Sequence, residues 1–325
     1  MSSELHLVLD RWGLEPADAI VRSESGTMND TYVVATARSR VVLRRHRRTD
    51  LSRIEWEHEV VAHARAGGVP VPAAIPTPGG DFVVGHGGRW FSLSTYADGE
   101  QVDRDRLRPE HARAMGVTLA HIHRALADVP DLPPAKVNPA PAPEETLRRM
   151  AELVALIERR ENFDRCDAWA LDRLRSTMTW LASEGARLTL PEAPAGSARL
   201  THGDYQETNL FFAGDGTDVR VAAVIDWDKA EVHWPAEEIL RALHYSLLLA
   251  PGLCSAFVEG YRSVSPLAMD DLDLAADIRT FGDVHSTWLL DELYLRGNDR
   301  VRQFVRPGPF VPFSRHWHDL RRALT

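Results

Sequence analysis

The run Thr201-His202-Gly203-Asp204-Tyr205-Gln206-Glu207-Thr208-Asn209 sets an aspartate five residues before an asparagine, and Asp226 follows Asn209 by 17 residues in Val224-Ile225-Asp226-Trp227. This order suits phosphoryl transfer from a nucleoside triphosphate. One carboxylate, Asp204, takes the proton of an attacking hydroxyl. An amide and a second carboxylate, Asn209 and Asp226, hold Mg²⁺, which favours a few protein oxygens beside phosphate oxygens and waters. Either aspartate alone reads as a turn cap or a strand end. The joint pattern, with His202-Gly203 ahead of it, argues for chemistry.

These side chains need an element to bring them together. Short apolar stretches at 210–212 and 219–225 flank the turn Ala213-Gly214-Asp215-Gly216. They predict two strands of a hairpin whose open end joins Asn209 to Asp226. Upstream, the pattern predicts a helix at 5–12, strands at 19–21, 31–35 and 40–43, a helix at 51–66, and strands at 82–85 and 90–95. Beyond the connector Tyr96-Ala97-Asp98-Gly99, helices are expected at 109–126, 144–160, 166–183, 236–250 and 268–295, with a proline-rich break at 130–143. The fold class is therefore α+β.

Composition narrows the function. The chain has 325 residues, 44% hydrophobic and 26% charged, with a net charge of −9. That balance argues against nucleic acid as the main ligand, since a polyanion binder presents a basic face. The most apolar stretch, 242–250, is far shorter than a membrane span, and residues 1–10 lack the basic start of a signal peptide. Cys166 and Cys254 form no metal or redox pattern, so a reducing cytoplasm is expected. Lys136 and Lys229 are the only lysines; arginine supplies the remaining basic charge.

The chain resembles the aminoglycoside phosphotransferase and choline kinase superfamily, small-molecule relatives of the protein kinases. His202 to Asn209 matches the family's His-Gly-Asp-x-x-x-x-Asn catalytic loop, and Ile225-Asp226-Trp227 its metal segment. The resemblance runs from about Ser23 to the C-terminal helices. It implies a bilobal protein-kinase-like fold: a small N-terminal antiparallel sheet lobe with one helix (1–95), a hinge (96–99), and a larger, mainly helical lobe (100–325). It also implies ATP or GTP with Mg²⁺, and a small-molecule hydroxyl as acceptor. Ser25 to Tyr32 resembles the loop that covers the nucleotide, making Gly26, Thr27 and Asn29 nucleotide-binding positions. The family's phosphate-binding lysine is replaced by Arg44, a planar and bulkier cation; of the nearby Glu55, Glu57 and Glu59, the register set by Gly68-Val69-Pro70 matches Glu57 to its carboxylate partner. Thr95 and Ala97 match hinge positions whose backbone contacts the purine. Glu238, with Glu237 as rival, falls where the family has an aspartate bracing the catalytic loop.

The acceptor is less legible. The resemblance places its pocket among helices at 144–183 and 268–300, and the latter stretch is acidic. Asp283 and Asp291, eight residues apart, would share one face of a continuous helix and suit a cationic acceptor such as an aminoglycoside. A solvated helix face is the plainer reading of the same residues. A metabolic kinase for an amino alcohol, a homoserine-like compound or a sugar is the alternative. A nucleotide-binding pseudokinase, with Arg44 as its mark, is a second. Phosphorylation of a protein is disfavoured, because no Asp-Phe-Gly and Ala-Pro-Glu pair bounds an activation segment.

Overall fold

The computed structural model describes residues 2–23, 29–129, 141–305 and 308–324. Two compact units account for the chain: 1–135 with 198–267, and 136–197 with 268–325. Gly26 and Thr27 lie outside the described residues.

The first unit opens with helix α1 (Ser2–Leu9), strands β1 (Ala19–Arg22), β2 (Asp30–Ala35) and β3 (Arg40–His46), helix α2 (Leu51–Ala66), and strands β4 (Val83–His86) and β5 (Arg89–Thr95). The strands form an antiparallel sheet in the order β1-β2-β3-β5-β4. Strand side chains alternate between faces. Tyr32 and Val34 of β2, Val41 and Leu43 of β3, and Phe91 and Leu93 of β5 accordingly pack with Leu5, Val8, Leu9 and Trp12 in one core. The same alternation turns Arg44, one residue past Leu43, away from that core.

Helix α2 starts at Asp50, whose side chain accepts the Arg53 amide, satisfying one of the donors a helix start leaves open. Its buried residues are Ile54, Glu57, Val60 and Ala64. Their spacing is one helical stripe, so Glu57 is a carboxylate on an otherwise apolar face. A charge placed there requires a partner.

Helix α3 (Pro109–Ala125) follows, then α4 (Pro143–Glu158) and α5 (Arg165–Ala182) of the second unit. The chain then returns to the first unit with β6 (Arg199–Thr201), β7 (Leu210–Ala213), β8 (Arg220–Val224), β9 (Glu231–His233), α6 (Pro235–Tyr245) and α7 (Pro251–Arg262). β6 pairs with β9, and β7 with β8, all antiparallel. Helices α3 and α7 cross closely: a Cβ on Gly116 would fall 2.0 Å from the Phe257 carbonyl oxygen, and one on Gly260 2.2 Å from that of Arg113. The second unit closes with α8 (Met269–His285), α9 (Trp288–Tyr294) and α10 (Phe313–Arg321).

Of the expected helices, one ends early and one is divided. The stretch 236–250 stops at Tyr245, because Leu248 and Leu249 both take left-handed backbone (φ 50° and 56°), and α7 begins at Pro251. The stretch 268–295 is broken at Ser286, and α9 restarts after Thr287, whose hydroxyl donates to Asp291 (2.8 Å). Asp283 and Asp291 therefore do not share a helix face. Asp283 pairs with Arg279 in its own helix, and Asp291 pairs with Arg149 of α4 at 2.8 Å. Both cysteines are free. Among the described residues no helix is long and apolar enough to cross a membrane.

Candidate active site

The β7–β8 register pairs Leu210 with Val224, and the Ile225 amide donates to the Asn209 carbonyl (2.9 Å). The hairpin's open end thus joins the catalytic loop to the metal segment. His202 adds a second tie. Its Nε2–H donates to the Ile225 carbonyl (3.0 Å), while its Nδ1 accepts the Asp204 amide (3.2 Å). These partners require the neutral ring, and burial keeps the His202 pKa below its ordinary value. The Asn209 side-chain amide donates to the Asp204 carbonyl at 2.9 Å. Gly203 permits the approach: its φ is 77°, and a Cβ there would lie 2.0 Å from the Lys229 carbonyl oxygen. No other residue type fits.

Beneath the loop sits Glu238 of α6, 5% exposed. It accepts the Gly203 amide at 2.6 Å and the His202 amide at 3.3 Å, and pairs with His123 of α3 at 2.9 Å. His123 in turn bonds the Tyr261 hydroxyl of α7 (2.9 Å). Burial works to raise the Glu238 pKa; the His123 bond and the loop amides outweigh it and hold the carboxyl below its usual range. Of the two glutamates weighed for this position, Glu238 holds the loop.

Asp204 is 5% exposed and carries a cation on each oxygen. Lys229 Nζ lies 3.0 Å from Oδ2, and Arg241 Nη2 donates to Oδ1. Burial pushes this carboxyl up, but Arg241 and Lys229 outweigh it and keep the pKa below the ordinary carboxylate value. Asp204 is therefore ionised at neutral pH.

Arg44 presents the opposite arrangement. Its guanidinium reaches Glu57 at 3.0 Å, Asp226 at 2.8 Å and Asp228 at 2.9 Å. Burial disfavours its charge, but the three carboxylates more than restore it. Burial, aided by neighbouring Asp228, pushes Glu57 up to about 8 against the pull of Arg44. Asp226 itself has a left-handed backbone, φ 64°. Asn29 donates its side-chain amide to Asp228 and accepts the Arg47 amide at 3.1 Å, so the end of the β1–β2 connection is tied to the metal segment. Arg53 of α2 donates to the Ala230 carbonyl just beyond (2.7 Å).

Among the described residues, no three His, Cys, Asp or Glu side chains are arranged to hold a metal alone. Mg²⁺ does not need such a cage, since it is held by one or two carboxylates together with phosphate oxygens and water. Asp226, 37% exposed at its side chain, and the Asn209 amide oxygen are hard donors that fit it.

Asp204, Asn209, Asp226, Arg44, Glu57 and Asn29 thus form two adjoining networks. Thr95 and Ala97 make no hydrogen bond to them among the described residues. Thr95 ends β5, its amide donating to the Ala73 carbonyl, and Glu100 exchanges two backbone bonds with Phe212 of β7 (2.9 and 2.8 Å). Asp228, two residues past Asp226, is a half-buried partner of Arg44. Sequence reasoning missed the contacts of Lys229 and Arg241 with Asp204. A signal for Arg241 existed: it lies three residues after Glu238 in α6, on the same helix face.

The profile of the phosphotransferase enzyme family matches residues 20–272. A homoserine kinase from Burkholderia cenocepacia (strain HI2424) is 25% identical over 306 residues, covering 90% of this chain and 85% of the relative. A spectinomycin phosphotransferase in complex with ADP and spectinomycin superimposes with a TM-score of 0.68 at 11% identity, over 99% of this chain and 97% of that one. An aminoglycoside phosphotransferase from Alicyclobacillus acidocaldarius gives a TM-score of 0.65 at 15% identity, over 98% and 93%.

Proposed function

The chain belongs to the phosphotransferase enzyme family and phosphorylates a hydroxyl of a small molecule; on that premise we propose that it transfers the terminal phosphoryl group of ATP or GTP, and that Asp204 receives the acceptor's proton. The observation that carries this is the pairing of an ionised, buried Asp204 with Asn209 and Asp226 across one hairpin.

In the assigned roles, Asp204 orients the hydroxyl and accepts its proton as the bond to phosphorus forms. Glu238 and His202 hold the loop so that this carboxylate is placed before substrate arrives. Catalysis is then mainly positioning and electrostatics. Arg44, oriented by Glu57, neutralises phosphate charge. Asp226 and Asn209 would hold Mg²⁺, which would supply positive charge to neutralise the phosphates. Gly26, Thr27 and Asn29 are assigned to the loop over the nucleotide. Thr95 and Ala97 are assigned to the base through their backbone. Residues 1–95 are assigned as the nucleotide lobe, 96–99 as the hinge and 100–325 as the catalytic and acceptor lobe, acting in the cytoplasm. The ADP held by the spectinomycin phosphotransferase neighbour supports nucleotide use here.

Antibiotic inactivation and metabolic phosphorylation are the two acceptor readings. The likeness to homoserine kinases over 90% of the chain favours the metabolic one. The test is nucleoside diphosphate release from ATP and from GTP with Mg²⁺, with and without acceptors. Acceptor-dependent release that Asp204→Ala abolishes, with nucleotide still raising the melting temperature, is the expected result. Retained turnover in Asp204→Ala removes Asp204 as the base. Protection of a sensitive host from an aminoglycoside would decide for inactivation.

A further inference from the structure

The cations on Asp204 exceed what a general base requires. A carboxylate that must accept a proton is made less basic by each positive neighbour. Here both oxygens carry one, from two different elements: Lys229, three residues past Asp226, and Arg241 in α6. The pair therefore has another occupation, and its unused donors indicate which. Arg241 Nη1 is buried with no hydrogen-bond partner. A buried guanidinium nitrogen left unpaired is costly, which marks it as a group awaiting an acceptor oxygen. Tyr245 lies against the guanidinium, whose central carbon is 5.3 Å from the ring centroid. Lys229 has one of its three donors on Asp204, and its side chain is 56% exposed.

We propose that Lys229 and Arg241 read an anionic group on the acceptor, so that the molecule phosphorylated is a hydroxy acid with its carboxylate close to the reacting hydroxyl. This deepens the assignment of Asp204 as the base and rests on it. A hydroxyl bonded to Asp204 stands beside both cations, so whatever its neighbouring carbon carries is also beside them. A carboxylate there receives the guanidinium edge and the ammonium, charge-assisted bonds stronger than neutral ones. An ammonium in the same place meets two like charges against one carboxylate and is rejected. The acidic residues that suggested a cationic acceptor do not offset this, since Asp283 and Asp291 are committed to Arg279 and Arg149.

The experiment compares small acceptors matched in size: 3-hydroxypropionate and glycerate, their primary amides, and the cationic ethanolamine and aminopropanol. The full-length chain is used, with kcat and KM measured for each. We expect the hydroxy acid to exceed its own amide in kcat/KM by at least about a hundredfold, the scale on which a site built for a polar group rejects the analogue lacking it. Arg241→Gln and Lys229→Met should collapse that ratio to within about tenfold through KM for the acid, with KM for the nucleotide unmoved. Arg241→Lys should restore part of the ratio, which a merely structural role would not do. Turnover of cationic or neutral acceptors without preference for the acid, or a ratio the variants leave intact, overturns the inference while leaving Asp204 as the base. An equal fall in kcat for every acceptor also overturns it and assigns the pair to the phosphoryl group. No turnover of any acceptor, with nucleotide leaving the melting temperature unchanged, overturns the kinase assignment and the inference with it.

Discussion

Two charge clusters share the first unit, and they are built in opposite senses. Around Arg44, one cation faces three carboxylates, Glu57, Asp226 and Asp228. Around Asp204, one carboxylate faces two cations, Lys229 and Arg241. The first arrangement is left short of positive charge and suits a divalent cation arriving with a nucleotide. The second is left short of negative charge and suits an anion. The His202 and Ile225 bonds that join catalytic loop and metal segment hold two unlike electrostatic environments side by side. In the proposed mechanism the phosphoryl group crosses between donor and acceptor where they meet.

This contrast can be broken from either side. The largest effect is expected for Asp204→Asn, which keeps the shape and removes the base: kcat should fall by about 10³ to 10⁴, the upper range for general-base removal. Calorimetric titration with nucleotide should show affinity retained. Asp226→Asn removes charge from the acid-rich cluster while keeping a side chain that tolerates left-handed backbone. A loss of about 10² in kcat, partly recovered at high Mg²⁺, is the expected reading from a magnesium titration. Arg44→Lys tests the planar fork against a point charge, since only the guanidinium spans Glu57, Asp226 and Asp228 together. The nucleotide KM should rise about tenfold, and an unchanged value would show that charge alone suffices there.

Two further outcomes concern the frame under both clusters. Glu238→Gln keeps an acceptor for the Gly203 amide but removes the charge paired with His123. A stability loss of about 1–3 kcal/mol by urea denaturation is expected, because a buried network is left partly satisfied. The effect smallest near neutrality comes from His46 and His58, packed against one another with centroids 6.4 Å apart. Burial, followed by the Arg44 charge, lowers His46 to about 3 and His58 to about 4. Both are neutral in the folded chain, while the unfolded chain protonates them near pH 6.5. Their contribution is complete above 6.5 and is lost as pH falls from 6.5 toward those lower values, by up to about 1.4 kcal/mol per unit for each proton. Melting curves at pH 7.5, 6 and 5 measure the slope, and His58→Phe should flatten it.

The parts of the site that could be read from sequence are those whose geometry is local. His202 to Asn209 is one loop, Asp226 is brought to it by a two-strand hairpin, and Glu57 lies in one helix at a fixed distance from the Gly68-Val69-Pro70 turn that set its register. What escaped depends on contacts between distant segments. Arg241 meets Asp204 across 37 residues and Lys229 across 25, and either would pass as a solvated surface cation. Asp228 is separated from Asn29 by 199 residues. The breaks near Ser286 and Leu248 carry no proline or glycine at the break itself. The Leu248 break leaves Ser246 where its hydroxyl accepts the Glu207 amide of the catalytic loop (3.2 Å). Nothing in local propensity signals that bond.

Asp226 sits at φ 64°, a backbone region that aspartate tolerates better than most L-residues but less readily than glycine. A glycine there would relieve the backbone and leave the hairpin bonds in place, but it would remove the ion pair with Arg44. The position therefore keeps its residue for the carboxylate and not for the turn, and a lineage released from phosphoryl transfer should be free to lose that residue while keeping the fold.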